Sequence, residues 1–127
     1  MKVFFEPVNL NVWNMLENIK TIPYTETFFS TKEMNLDDLV ILYVGSQKKN
    51  VAAGVYAFGV VASLPYVAMN PDDYCYKKLV VDIKIKQISY DKPIISKDEC
   101  KMFIKQYYSV HKIADDVLNE IDCYLDF

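Results

Sequence analysis

The chain has no arginine. All fourteen of its basic residues are lysine, so the planar guanidinium fork that usually reads guanine or clamps a phosphate is missing. A formal net charge of −3 also argues against strong non-specific nucleic-acid binding by the domain as a whole. Histidine occurs once, at His111, and cysteine three times, at Cys75, Cys100 and Cys123. No CxxC or HxxxH spacing exists, and one histidine cannot build a histidine-rich zinc site, so no metal centre is expected. Three widely spaced cysteines do not make a disulfide framework, and the expectation is reduced thiols in a cytoplasmic protein. His111 with a cysteine would make a nucleophilic pair, but no spacing brings them together; a solvent-facing or capping histidine is expected. With three glycines in all, there is no glycine-rich phosphate loop. No apolar run approaches the roughly 20 residues of a membrane span. The opening MKVFFEPV is followed by no apolar signal core and no small-residue cleavage site. Asp37-Asp38 and Asp72-Asp73 sit at turns, where aspartate is the ordinary residue. No catalytic constellation and no cofactor motif remain, so the expectation is a binding protein and not an enzyme.

What the chain has in quantity is apolar and aromatic side chains, including ten tyrosines. At 127 residues this supports one core and one domain, residues 1–127. Residues 2–5 read as a short strand that Pro7 ends. Val12, Met15, Leu16 and Ile19 fall on one helical stripe, with Asn9 or Asn11 as N-cap and Trp13 one step off it. Residues 22–32, with Pro23, Tyr24, Phe28 and Phe29, show no period and read as a connection. Residues 39–44 are apolar on both faces, as in a central strand. After a turn carrying Lys48 and Lys49, residues 51–63 read as a second central strand. Its Ala53, Gly54, Ala57 and Gly59 invite a bulge or close backbone approach. Asn70-Pro71-Asp72-Asp73 is a turn. The cleanest alternation follows: Leu79, Val81, Ile83 and Ile85 inward, Asp82, Lys84 and Lys86 outward. Ser96 and Glu99 form a capping-box pair, and Val117, Leu118, Ile121 and Leu125 lie on a last helical stripe. Helices are expected near residues 11–20, 97–107 and 114–124, and five or six strands, in an α+β curved, partly closed mixed barrel flanked by helices.

The order NLDDLVILYV, a lysine-bearing turn, GVYAFGVVASLPYV and later LVVDIKIKQI resembles the EVE domains of the PUA-like superfamily, relatives of the YTH readers of methylated RNA bases. The family's entry to the first central strand appears as Asn35-Leu36-Asp37-Asp38, its tyrosine near that strand's end as Tyr43, and its serine–x–proline–tyrosine as residues 63–66. Asp37 stands where the family carries glycine. The tryptophan wall that many relatives place in the connection after the first helix is absent here, with Tyr24 the aromatic nearest by position. Trp13 matches a tryptophan that relatives carry in the first helix.

The resemblance implies a binding module for a modified nucleobase flipped from DNA, such as the specificity domain of a modification-dependent restriction system of the McrBC kind, working with a nuclease or GTPase subunit or fused domain. The base-binding candidates are then Tyr24, Tyr43, Tyr66, Phe28 and Trp13, in a cleft between residues 22–30 and Tyr43 with the loop after Pro65 at its rim. Lys48, Lys49, Lys77, Lys78, Lys84 and Lys86 are the candidate phosphate contacts, expected around the mouth beside Tyr24. Two other readings stay open: an RNA-binding PUA-like module, and a protein- or small-ligand-binding domain in which these tyrosines are core and rim aromatics.

Overall fold

The structure, a computed structural model, describes all of residues 1–127. Its strands are β1 (Val3–Val8), β2 (Tyr24–Phe29), β3 (Leu39–Val44), β4 (Gly54–Val61), β5 (Tyr66–Val67), β6 (Leu79–Ile88), β7 (Ile95–Ser96) and β8 (His111–Ile113). Its helices are α1 (Met15–Asn18), α2 (Lys97–Cys100) and α3 (Val117–Ile121), the last running into a 3₁₀ turn, Asp122–Tyr124. All eight strands join one mixed sheet of order β2-β6-β4-β3-β1-β8, with β5 beside β6 and β7 beside β4. β1 and β3 are parallel, and every other pairing is antiparallel. The fold is α+β, and the sheet curves without closing. No helix is long and apolar enough to cross a membrane.

β3 sets the architecture because all six of its residues are buried. Val40, Leu42 and Val44 pack on the concave side with Phe4, Val8, Met15, Ile19, Phe28, Val81, Ile83 and Ile85. Leu39, Ile41 and Tyr43 pack on the other side with Val3, Phe5, Phe58, Cys100, Ile104, Ile113, Val117 and Ile121. The sheet's own curl thus covers one face, and the chain after β7 covers the other. Both runs expected to be central strands are central neighbours in the sheet.

β4 needs its small residues. The pairing of β4 with β6 slips at Phe58/Gly59, and a Cβ on Gly59 would stand 2.7 Å from Ile83 Cγ2 and 2.8 Å from Lys84 O. A second slip, against β3, falls between Leu42 and Tyr43. It lets Tyr56 and Ala57, adjacent in sequence, both join the concave core.

Several expectations are corrected. Pro7 does not end β1, which runs on to Val8. Lys2 O accepts from Leu39 N, so even-numbered residues of β1 bond toward β3 and odd-numbered ones toward β8. β8 pairs only as far as Phe5, so the N–H that proline lacks would face an edge without a partner strand. Residues 24–29 are a strand, not an irregular connection. Thr25 and Thr27 alternate with Tyr24, Glu26 and Phe28, and the polar Glu26 among the inward positions hides the period. The three expected helices shrink to one or two turns. Asn14, not Asn9 or Asn11, caps α1, its side chain accepting from Glu17 N at 3.3 Å. Ser96 and Glu99 do form the capping box, but α2 stops after Cys100. The turn at Asn70 is present, with Asn70 O accepting from Asp73 N at 3.1 Å.

The entry to β3 is held by Asp38, whose carboxylate accepts from Lys2 N at 3.0 Å and Asn35 N at 2.9 Å and pairs with Lys2 Nζ at 3.5 Å. Asp37 adopts φ of 69° there, the left-handed conformation that aspartate tolerates better than most residues. Asp38→Ala leaves two backbone N–H groups without partners and should destabilise the fold by about 1–3 kcal/mol, read as a lower urea midpoint at unchanged m-value.

Candidate nucleic-acid interface

The open sheet leaves a gap between β1 and β2, which are not paired. β8 guards only the first half of β1, and at Glu6–Val8 the end of β2 approaches instead. A narrow cleft of about 100 Å³ forms there, lined by Glu6, Pro7, Val8, Asn9, Val12, Trp13, Phe28, Phe29 and Tyr74. Trp13 and Phe28 meet edge to face with ring centroids 5.9 Å apart, and Phe29 and Tyr74 do likewise at 5.5 Å. Phe28 is fixed in the core, Trp13 is half-buried, and Tyr74 is 62% exposed. Two aromatic corners, one rigid and one at the rim, thus flank a space suited to a flat ring.

At its floor lies Glu6. β1's alternation puts it on the same side as Phe4 and Val8, inside the curl, where it is 1% exposed. Its Oε1 is buried and has no hydrogen-bond partner. Burial raises its carboxyl well above the usual carboxylate range, because the charged form loses its hydration with nothing to replace it. Partial burial, then the negative charge of Cys75, Glu6, Glu26 and Asp73, pushes the Tyr74 hydroxyl up as well. No lysine lines the cleft.

A second, wider cavity shares Pro7, Val8, Asn9 and Phe29 with the first and continues past Tyr43, Gln47, Lys97, Tyr107 and Tyr108. Gln47 Oε1 is also buried there without a partner. Tyr43 and Tyr107 lie 4.9 Å apart. Burial, then the charges of Tyr107 and Cys100, raises the Tyr43 hydroxyl to about 12.

The structure brings Trp13 and Phe28 together and keeps the other three aromatic candidates out of the cleft. Tyr24 lies on β2 four residues from Phe28, its hydroxyl 3.3 Å from Glu26. Tyr43 is on the opposite face of the sheet from Phe28, since it alternates with Leu42 and Val44. Tyr43 instead lines the second cavity together with Phe29, so a cleft between residues 22–30 and Tyr43 exists there without Tyr24 on its wall. Tyr66 donates to Asp82 at 2.7 Å, close to Thr27, and stands on neither cavity wall. The six lysines occupy three elements. Lys48 and Lys49 follow Gln47 in the β3–β4 turn. Lys77 and Lys78 close the loop that carries Tyr74, with Lys77 Nζ 5.2 Å from the Tyr76 ring centroid. Lys84 and Lys86 share a shallow depression with Ile22, Pro23 and Phe127, apart from the aromatic cleft. His111 is half-buried on β8, its ring 5.2 Å from that of Phe5 and its Nδ1 2.8 Å from Ser109 O. No three of the His, Cys, Asp and Glu side chains gather as a metal site would require. Sequence reasoning missed Glu6, Phe29 and Tyr74. An acid inside the apolar run VFFEPV, in phase with Phe4 and Val8, is the signal that points to Glu6.

No protein-family model and no curated protein matches the chain. Solved structures do. PSPTO5229 from Pseudomonas syringae superposes with a TM-score of 0.67 at 13% identity, over 97% of this chain and 99% of its own. Human THYN1, solved in complex with 5-methylcytosine-containing DNA, gives 0.66 at 11% identity over 100% and 99%. Rpa0253 from Rhodopseudomonas palustris gives 0.62 at 12% over 98% and 92%. At such identities the likeness is one of fold. The chain shares with them a curved, mixed α+β sheet over nearly its whole length.

Because Glu6 binds its proton more tightly when folded, its contribution to stability is full below its unfolded pKa near 4.5. It is lost as pH rises from there through the raised folded value. Glu6→Gln removes the cost of ionising a buried acid. It should raise the melting temperature at pH 7 by a few degrees, roughly 3–5 °C for each kcal/mol recovered in a domain of this size. The gain over wild type should shrink steadily as thermal scans are repeated toward pH 4.5.

Proposed function

We propose that this domain binds a modified nucleobase of DNA, turned out of its strand into the cleft between β1 and β2. The observation that carries the reading is the aromatic-walled, lysine-free cleft at an open seam of a fold shared with a protein solved on 5-methylcytosine DNA. Trp13 supplies the ring face, since it is half-buried and not locked into the core. Phe28 backs it, and Phe29 and Tyr74 close the mouth. A base extruded from a duplex costs a few kcal/mol. Stacking returns roughly 1–3 kcal/mol, and an alkyl substituent in an apolar corner adds a comparable amount. Phosphates fall to lysines on the bordering loops, Lys77 and Lys78 beside Tyr74 and Lys48 and Lys49 beside the second cavity. Lys84 and Lys86 take no part. The domain acts as a reader and not an enzyme, and in a restriction system it would direct a nuclease or GTPase partner.

The test is fluorescence anisotropy with duplexes carrying 5-methylcytosine or cytosine at one position. Trp13→Ala should weaken binding at least about fivefold, while Tyr24→Ala should change it less than about twofold. The reading fails if wild type does not bind, or if Trp13→Ala, shown folded by its melting curve, binds as wild type does. Replacing Lys77 and Lys78 with Gln should weaken binding to all sequences alike and lower the salt slope by about 2. The same change at Lys84 and Lys86 should leave that slope where it was.

A further inference from the structure

We infer that Glu6 reads the edge of the bound base, and that the base it accepts carries an amino group beside a basic ring nitrogen, as cytosine and 5-methylcytosine do, and not the lactam edge of thymine. The inference rests on the base-binding reading of the cleft and specifies what that cleft selects. Glu6 lines the cleft, is almost wholly buried, and its Oε1 has no partner within the protein. A buried oxygen without a donor costs free energy until one arrives. In a cleft whose other walls are mainly aromatic and aliphatic, the arriving ligand is the evident source.

The chemistry of the partner follows from the carboxyl's protonation. Buried among apolar groups, Glu6 is held neutral at a pH where ordinary carboxylates are charged. A neutral carboxyl offers one donor and one acceptor side by side. Cytosine matches this pattern: N3 accepts the O–H, and the 4-amino group donates to the other oxygen. If the proton moves from Glu6 to N3, both contacts persist as a carboxylate–cytosinium pair, so the fit survives in either protonation state. Thymine has the same size and the same 5-methyl group, but its N3 already bears a proton and its O4 only accepts. The neutral acid can pair with it as well, O–H to O4 and N3–H to the carboxyl oxygen, so the distinction rests on the charge-assisted pair formed when the proton passes to N3, which thymine cannot form. Against the carboxylate it sets O4 opposite a negative oxygen. Adenine's N1 and N6 repeat the cytosine pattern on a larger ring system.

The surroundings keep the acid neutral. The segment of residues 9–13 brings no ionisable group, β2 brings Glu26, and the loop of Tyr74 brings Asp73 and Cys75. Those charges act on Tyr74, whereas Glu6 itself is raised by burial, and no lysine lines the cleft to offset it.

The experiment measures binding of oligonucleotides with 5-methylcytosine, cytosine or thymine at one unpaired position, from pH 5.5 to 8.5. Wild type should prefer 5-methylcytosine to thymine by roughly tenfold or more, with affinity falling as pH rises. Glu6→Gln keeps a donor and an acceptor that suit either base and has no proton to give to N3, so it should lose most of the preference for 5-methylcytosine together with most of the pH dependence. Glu6→Leu, which fills the floor without polar atoms, should bind the two bases within about threefold of each other. The inference is overturned if Glu6→Leu discriminates as wild type does, or if wild type binds thymine equally well. If binding of any oligonucleotide is indifferent to Trp13→Ala, the cleft is not the base site and the underlying reading fails instead.

Discussion

A strand buried on both faces must be covered twice, and the way β3 obtains its two covers governs the rest of the molecule. The inner cover is the sheet itself. β4 and β6 curl until β2 comes round toward β1, and Leu10, Met15 and Ile19 plug the remaining end. The outer cover is the chain after β7, which crosses the convex face with Cys100, Ile104, Val117 and Ile121. A curl of this kind has a seam. β1 and β2 face each other across it without being paired: β8 covers β1 only as far as Phe5, and Pro7 beyond it has no N–H to donate. Side chains at the seam are inside the curl yet within reach of a ligand, and that is where Trp13, Phe28 and Glu6 meet.

The seam carries a cost that the interior does not. Phe4 and Val8 repay their burial through apolar contact, whereas Glu6, between them on the same face, gives up hydration and gains no partner. Leucine at this position would pack into the same core without that cost. Departures of this sort from consistent packing are expected at working surfaces, where a group is kept ready for a ligand at the expense of the free state. Cys100 is a useful contrast. It too is buried, its thiol pushed up to about 12 by desolvation, but as a neutral thiol 3.8 Å from Ile95 O it behaves as a small apolar side chain and costs little.

How much of this was legible follows the strength of each local signal. β3, β4 and β6 carry unbroken or cleanly alternating apolar runs, and they were visible because burial, not propensity, dictates those residues. β2 was missed because Glu26 falls on its inner face and the threonines on its outer one, which erases the contrast between apolar and polar positions. The helices were overdrawn for the opposite reason. Val12 and Met102 continue the apolar stripes, yet both are exposed, and the packing needs only Met15, Ile19, Cys100 and Ile104. One turn suffices to deliver each pair to the sheet. Pro7 misled because the rule against proline in strands concerns a donated hydrogen bond, and at this edge there is nothing to donate to. The site was half legible. Trp13 and Phe28 line the cleft, Tyr24 shares the inner face of β2 with Phe28 but lies four residues further along it, and Tyr43 points to the other face of the sheet.

The absence of arginine fits this division of labour. Arginine would offer a fixed fork able to read base edges and clamp phosphates at once. Lysine gives charge without a fixed fork, so a lysine-only surface is better suited to holding a strand than to choosing among bases. Whatever selectivity the domain has must then reside in groups with fixed geometry, and the seam is where those groups are found. The rings of Trp13 and Phe28 are set by packing, and the Glu6 carboxyl is confined by the strand on which it stands. An acid reading a base from a site kept clear of cations also avoids a conflict. A lysine close enough to grip the target's phosphate within the cleft would pull the Glu6 proton off and turn its donor into a second acceptor. Under the proposed base-binding reading, Lys77 and Lys78 on the bordering loop, outside the walls, supply attraction and the cleft supplies choice.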